Sequence, residues 1–395
     1  MRRLVLTLVA VVALAHWPTG PLAAQVHLKP GVTVRKLEQA VAHDPYDPVA
    51  LYDLALGYWS KKRWDDVERT LQQTLNIEPR NAPALLALAH LPYARRPRLW
   101  DEEERGTVPP EWQPALIQRD RLSRRAFLFD PLVDLQIVGA VAPDENSLLR
   151  GGTDATPERT ALVGLTNFRN AQYDQAFAWF DRLARALGGE QDPSRIPDFV
   201  LYYRGLAAAH LNDISAAIRD FRRLHAMGDT LDAPGGLVDP VLATYVLAFL
   251  LQRAGAYDEA VATYQQALAG DLGLWMVHVQ LARIHDDLGQ WVDAIHEREL
   301  ALEADPEDPS LLLDLGITLS KAGRPAEAEP VLVRAQAGLP RNFRVPYFQG
   351  IVAQQLGHPD AARTAFRHFL TLVPSRYVDE IADVRGRLRD LSGPR

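Results

Sequence analysis

The stretch PSLLLDLGITLSKAGRPAEAEPVLVRAQAGLPRN, residues 309–342, decides the fold because its pattern recurs every 34 residues. Residues 241–376 hold four consecutive copies. Three columns of small residues keep the same register through these copies. They are Gly255, Gly289, Gly323 and Gly357; Ala260, Ala294, Ala328 and Ala362; and Ala248, Ala282, Gly316 and Gly350. A period of this length with fixed small positions is typical of a helix–turn–helix repeat, which buries its apolar face only by stacking against its neighbours.

Each small column has a physical role in such a repeat. Gly316 on the first helix and Ala328 on the second allow the two helices to approach closely. Gly323 between them supplies a backbone with positive φ, which a residue with a Cβ adopts only at a cost. A proline follows each second helix and prevents it from continuing. These prolines are Pro306, Pro340 and Pro374.

With Leu315, Leu319 and Leu332 at the intervening apolar positions, the pattern resembles the tetratricopeptide repeat family. The resemblance covers nearly all of the chain after residue 24, the region of 93–156 excepted. It implies an all-α fold, a right-handed superhelical solenoid of antiparallel helix pairs. An amphipathic helix over 377–391 is expected to cap the open end of the array.

The chain is predicted to divide into segments along this array. Residues 25–81 form an N-terminal repeat segment, 82–156 an atypical repeat with an insertion, 157–376 the main array, and 377–395 the capping helix and tail. Pro92 is expected to end the first helix of the atypical repeat, and the partner helix is expected over 111–129. The irregular stretches within 93–156 are either functional or plain connecting loops, and the sequence leaves both alternatives open.

Residues 1–24 are predicted to be a signal peptide. Arg2 and Arg3 precede an apolar run over 4–15, which is too short to span a bilayer. Cleavage is expected after Ala24, with an uncleaved signal anchor as the alternative. The product is then expected to be exported, periplasmic or secreted, without stable insertion in the membrane.

The composition excludes several classes of site and partner. The chain has no cysteine, so it has neither a disulfide nor a thiolate metal site. Its formal net charge is -7, from 43 basic and 50 acidic residues. An acidic surface disfavours nucleic acid as a partner.

No motif predicts a catalytic residue, a cofactor site or a metal site, so we expect a protein that is not an enzyme. His278 and His285 lie about 10 Å apart on one helix, too far to chelate one ion. No glycine-rich phosphate loop precedes a helix, and no nucleophile motif is present.

A dense basic stretch lies on the predicted 111–129 helix. It consists of Arg119, Arg121, Arg124 and Arg125. These residues either bind an acidic partner or form a solvated face paired with Asp120 and the acidic run 101–104.

The resemblance implies that first helices line a concave groove. Carried over residue by residue, the groove positions hold aromatic side chains: Tyr52, Trp59, Phe168, Phe199, Tyr202, Tyr245, Phe249 and Tyr347. Tyrosine combines an apolar face with a polar tip, which suits the recognition of extended peptides or sugars. The alternative is that these rings pack between neighbouring first helices.

We therefore predict an exported scaffold that binds a protein or an extended peptide in its concave groove. A polysaccharide-binding assembly factor for exopolymer export is one alternative, and an enzyme with a site in 93–156 is another. Family members that clamp C-terminal carboxylates use Lys, Asn and Arg at groove positions. The corresponding positions here hold Tyr52, Leu56, Leu162, Phe199 and Tyr203, which disfavours that class of partner.

Overall fold

The computed structural model describes residues 32–133, 156–169, 172–189, 191–228 and 238–392, and every regular element within these ranges is a helix. The predicted signal peptide and nearly all of the irregular stretch 133–156 lie outside the described residues. The chain divides into two compact units. Unit 1 contains residues 89–277, and unit 2 combines residues 27–88 with 278–395.

The helices follow one another with short connections. In chain order they are α1 (Val34–His43), α2 (Pro48–Ser60), α3 (Trp64–Ile77), α4 (Ala82–Arg95), α5 (Leu99–Glu104), α6 (Gln113–Phe129), α7 (Pro157–Arg169), α8 (Tyr173–Ala186), α9 (Asp198–His210), α10 (Ile214–Met227), α11 (Pro240–Arg253), α12 (Tyr257–Gly270), α13 (Met276–Asp287), α14 (Trp291–Ala304), α15 (Pro309–Lys321), α16 (Pro325–Gly338), α17 (Arg344–Gln355), α18 (Pro359–Leu372) and α19 (Val378–Ser392). Short 3-10 helices span Pro110–Trp112 and Pro193–Arg195. None of the described helices is both long and apolar enough to cross a bilayer.

The small columns produce the close helix pairs that the repeat predicts. A Cβ on Gly316 would lie 2.6 Å from Cδ2 of Leu332, and one on Gly205 would lie 2.9 Å from the ring of Phe221. Ala328 is fully buried in the same core as Leu332. The first helix of a pair therefore presents a small residue to a large residue of the second helix, which is the close contact expected from the columns.

The turn between paired helices uses a left-handed residue in six of the described pairs. Gly255, Gly289, Gly323 and Gly357 have φ between 69° and 75°. The equivalent positions of two earlier copies hold Lys62 at φ 56° and Asn212 at φ 63°. These two positions follow α2 and α9. They were not predicted from the glycine column, because the residue type differs although the backbone conformation is the same.

Capping side chains and prolines determine where several of the helices begin and end. Asp47 and Asp308 cap α2 and α15, where each side chain accepts a hydrogen bond from the backbone N–H two residues later, at 2.9 and 2.8 Å. A proline occupies the first helical position in both cases. Each second helix of the last three pairs before α19 stops two residues before its proline, as the positions of Pro306, Pro340 and Pro374 predict.

The atypical repeat differs from the prediction at Pro92. This proline lies inside α4 and does not end it, because the helix continues to Arg95. A proline in a helix removes one backbone hydrogen bond, and here only the last turn follows it. Arg96 N donates to the Pro92 carbonyl at 2.9 Å and closes that turn. The predicted partner helix is present as α6, and the insertion before it contains the short helix α5.

Candidate functional site

The predicted groove aromatics differ in accessibility. Trp59, Phe199 and Tyr245 are buried, with 2, 1 and 0% of their surface exposed. The other five side chains are partly buried: Tyr52, Phe168, Tyr202, Phe249 and Tyr347. These three buried rings therefore offer almost no surface to a partner. Partner binding by the five accessible rings stays a prediction.

Tyr245 in unit 1 holds a segment of the chain's own α6. Its hydroxyl donates to the Leu128 carbonyl at 2.5 Å, and its ring centroid lies 6.3 Å from that of Phe127. Leu128 is in the last turn of α6, where carbonyls lack partners within the helix. Arg124 of the same helix pairs with Asp271 at 3.0 Å. Tyr245 thus uses both its apolar face and its polar tip, and the segment that it contacts belongs to the same chain.

A second aromatic group joins α7, α8 and α9 in unit 1. The ring of Phe168 lies 5.3 Å from Tyr203 and 5.4 Å from Tyr173, and Tyr173 stacks on His210 at 4.0 Å. Tyr202 lies beside this group and contacts Tyr203 at 5.4 Å. Sequence reasoning identified Phe168 and Tyr202 as groove aromatics and placed Tyr203 at a groove position, but it missed Tyr173 and His210. Helical spacing alone does not show that side chains from successive helices converge.

Burial suppresses the ionisation of two groups in unit 1, Tyr202 and His90. Burial, with smaller effects of Tyr203 and Asp239, raises the pKa of Tyr202 well above its usual range. Burial and the nearby charge of Arg119 lower the pKa of His90 to about 4. Both groups are therefore neutral at physiological pH.

Tyr347 in unit 2 faces the capping helix. Its hydroxyl donates to Oδ2 of Asp383 at 3.1 Å, and its ring lies 5.4 Å from Phe369. Burial and the adjacent Asp383 carboxylate raise the pKa of Tyr347. This groove position joins the last repeat to α19.

A buried charge network lies at the centre of unit 2. The Arg298 side chain is 6% exposed and pairs with Asp286. Its Nε donates to Oγ1 of Thr318 at 2.7 Å, and that hydroxyl donates to Oδ1 of Asp286 at 3.0 Å. Nη1 of Arg298 lies 3.5 Å from Oδ2 of Asp314 on α15.

Asp314 also forms an ion pair with Arg80, which belongs to the N-terminal repeat of unit 2. Nη1 of Arg80 lies 2.5 Å from Oδ2 of Asp314, 234 residues away in sequence. Burial alone would raise the pKa of Asp314, but the charges of four surrounding arginines outweigh it and hold this pKa well below its usual range. These arginines are Arg80, Arg283, Arg298 and Arg344. Asp314 is therefore a carboxylate at any physiological pH.

Further polar contacts connect the two sequence segments of unit 2. Nδ2 of Asn342 donates to the Ile77 carbonyl at 2.8 Å. Oγ of Ser375 donates to Oδ2 of Asp44 at 2.7 Å, and Nη1 of Arg376 lies 2.9 Å from Oδ1 of Asp47. The connecting loops before α17 and α19 thus meet the connecting loops around α2 and α3.

The basic stretch on α6 is at least partly paired within the protein. Arg119 pairs with Glu103 at 2.9 Å and with Asp120 at 2.6 Å, and it contacts the hydroxyl of Tyr93. The pairing alternative is therefore correct for Arg119. Glu103 is the residue of the acidic run 101–104 that pairs with Arg119.

A cavity of about 370 Å³ opens in unit 1 between α8, α9 and α10. Its lining includes Asp181, Arg185, Arg204 and Arg223. Arg204 forms a two-pronged ion pair with Asp220, at 2.8 and 2.7 Å, and is thereby largely neutralised. The cavity offers exposed arginines at its rim but no nucleophile beside a base.

The histidines that the sequence singled out make side-chain pairs. Nδ1 of His278 lies 2.7 Å from Oε2 of Glu297, and Nδ1 of His285 lies 2.6 Å from Oε1 of Gln290. Within the described ranges, no three His, Asp or Glu side chains are grouped so that they could hold a metal ion.

Comparisons with known proteins agree on the repeat. Tetratricopeptide repeat family models match residues 243–274, 279–343 and 347–368. The C-terminal part of a TPR repeat-containing protein from Cytophaga hutchinsonii is similar in structure, with 16% identity over 56% of this chain and 83% of that one and a TM-score of 0.47.

Two structures of MamA are similar over a smaller part of the chain. MamA AMB-1 has 19% identity over 44% of this chain and 91% of its own, with a TM-score of 0.37. A double mutant of MamA RS-1 has 14% identity over 44% of this chain and 93% of its own, with a TM-score of 0.40. No curated protein matches the sequence significantly.

Proposed function

The chain is a tetratricopeptide-repeat protein, and we propose that it is an exported scaffold that binds a protein segment along the first helices of its repeats. Export rests on Arg2, Arg3 and the apolar run over 4–15. The scaffold role rests on a repeat architecture whose stacked helices offer extended binding surfaces.

The contact of Tyr245 with α6 is the observation that supports this function most directly. A first-helix tyrosine contacts a segment of the chain by packing its ring near Phe127 and by donating to the Leu128 carbonyl. Recognition of a backbone carbonyl tolerates many sequences, because every residue carries that group. Tyr202 on the first helix α9 carries the same two groups and is partly exposed.

Tyr202 on α9 and Phe249 on α11 are suited to test the groove, since both rings are on first helices and partly accessible. We expect Tyr202→Ala with Phe249→Ala to weaken capture of the partner from the cell envelope by about tenfold or more, because aromatic anchors dominate such interfaces. The measurement is quantitative mass spectrometry of the captured proteins beside the melting temperature of the variant.

Val292→Ala is the matched control, because Val292 is 79% exposed on the second helix α14. It should leave capture unchanged. A folded double variant that captures as much as the unmodified protein would contradict the groove proposal. Preferential binding of purified exopolymer instead of a protein would favour the polysaccharide role. Export is tested separately, by finding whether envelope-derived protein begins at Gln25.

A further inference from the structure

Unit 2 already holds a ligand-like segment against its C-terminal repeats. Residues 34–81 reach α15 and the loops before α17 and α19 through polar contacts with Asp314, Asn342, Ser375 and Arg376. Polar contacts lose less free energy on exposure to water than apolar ones, since each group can bond to water instead. A segment held in this way is suited to release.

Asp314 is the anchor of this surface, and the network behind it fixes its position. Arg298 is held by Asp286 and Thr318, so its guanidinium has little freedom to move. The side chains of Arg80 and Asp314 are 12 and 16% exposed. A guanidinium with a carboxylate forms a strong charge-assisted hydrogen bond when both are shielded from water.

The site contains a second guanidinium near Asp314, and the docked arrangement leaves its hydrogen bond to the carboxylate unformed. Nη1 of Arg298 is buried and has no hydrogen-bond partner among the described residues, although it lies 3.5 Å from Oδ2 of Asp314. A small rotation of the Asp314 carboxylate would complete this hydrogen bond. Departure of Arg80 would therefore not leave a buried carboxylate unpaired, which is the usual large cost of breaking a buried ion pair.

We propose that Asp314 forms a guanidinium-binding site whose resident ligand is Arg80, and that an arginine-bearing segment of a partner protein occupies this site when residues 34–81 leave. This inference rests on the proposed scaffold function and specifies the chemistry of its partner. Arg80 lies in the loop Glu78–Asn81, where the Asn81 side chain donates to Glu78 at 2.9 Å. The ligand is thus an arginine in a short connecting loop or an extended segment.

A peptide with the sequence of residues 75–84, LNIEPRNAPA, tests the site in the full chain. The variant Arg80→Gln removes the resident guanidinium, so we expect it to bind this peptide about tenfold or more tighter than the unmodified protein does. A second peptide with glutamine in place of the arginine should not bind. Adding Asp314→Asn to Arg80→Gln should abolish binding, because the carboxylate is lost.

Arg334→Gln is the matched control, since Arg334 is an exposed arginine of unit 2 that pairs with Glu307. It should not increase binding of the peptide. Circular dichroism melts of all variants identify those that remain folded. For the unmodified protein, hydrogen exchange gives an independent readout: saturating LNIEPRNAPA should speed exchange in residues 34–77, and the glutamine peptide should not.

Equal binding of both peptides to Arg80→Gln would overturn the inference, as would binding that survives Asp314→Asn. If Arg80→Gln does not fold, exchange in residues 34–77 that stays unchanged under saturating peptide overturns it as well. None of these outcomes depends on Tyr202 or Phe249. Failure of this site is therefore distinguishable from failure of the groove proposal.

Discussion

The second residue after a first helix shows how one backbone position tolerates different side chains. Gly323 and its column adopt positive φ without strain, whereas Lys62 and Asn212 adopt it with a Cβ. Asparagine visits this region more readily than most residues because its side chain bonds locally. Lys62 has no such compensation from its residue type, and its side chain is exposed.

Replacing Lys62 by glycine should therefore stabilise unit 2. We expect a gain of up to about 1 kcal/mol in the free energy of unfolding, because the strain of a left-handed lysine exceeds the added entropy of the unfolded chain. Urea denaturation of the full chain measures the change. Lys61→Gly is the control, since Lys61 has φ -104° and should lose stability on substitution. A destabilised Lys62→Gly variant would contradict the explanation.

At the scale of elements, the close contacts within each helix pair are the features whose effect on stability is easiest to predict. Leu332 against Gly316 and Phe221 against Gly205 repeat one arrangement in two different copies. The ion pair of Arg204 on α9 with Asp220 on α10 adds a buried charge contact to one of these pairs. Burial opposes the charge on Arg204, but the hydrogen bonds and charge of Asp220 outweigh this effect and raise the pKa of Arg204.

Arg204→Met should destabilise the α9–α10 pair by about 3 kcal/mol, because it leaves the Asp220 carboxylate buried without its main partner. Adding Asp220→Leu should restore much of this loss, since an apolar pair of similar volume has no desolvation cost. The double-mutant cycle is measured by thermal unfolding. Arg185→Met is the control at an exposed arginine whose side chain is 58% exposed. A loss in the double variant equal to the sum of the losses in Arg204→Met and Asp220→Leu alone would show that the charges are not coupled.

The composition of unit 2 is the main finding at the scale of the whole molecule. Residues 27–88 and residues 278–395 form one compact unit, although residues 89–277 separate them in the sequence. In a strictly linear array, each repeat would contact only its neighbours in sequence. Here α1, α2 and α3 share a unit with the last repeats.

A defect in α15 should therefore reach the N-terminal repeat. Gly316→Ala places a Cβ against Leu332 and should cost about 1 to 3 kcal/mol by overpacking. We expect faster hydrogen exchange in residues 325–338 and also in residues 34–77, because loss of packing around α15 disturbs Asp314. Residues 198–227 provide the internal reference. Faster exchange confined to residues 291–355 would show that the N-terminal repeat does not depend on α15.

The sequence alone determined the features that depend on residues close together in the chain. The 34-residue period, the small columns and the prolines after the second helices predicted the helix pairs and the ends of the last three second helices, because those features express contacts within one repeat or between adjacent ones. Pro92 was an exception, since one missing hydrogen bond near a helix end did not outweigh the remaining turn.

Only the tertiary structure decided which repeats meet at a distance. Tyr245 and Leu128 are 117 residues apart, and Arg80 and Asp314 are 234 residues apart. A periodic pattern is the same whichever distant copies pack together, so it holds no information about such contacts. The burial of Tyr245 and the ion pair of Asp314 follow from those long-range contacts. The position of each groove residue within its repeat could therefore be predicted from the sequence, but its exposure to solvent could not.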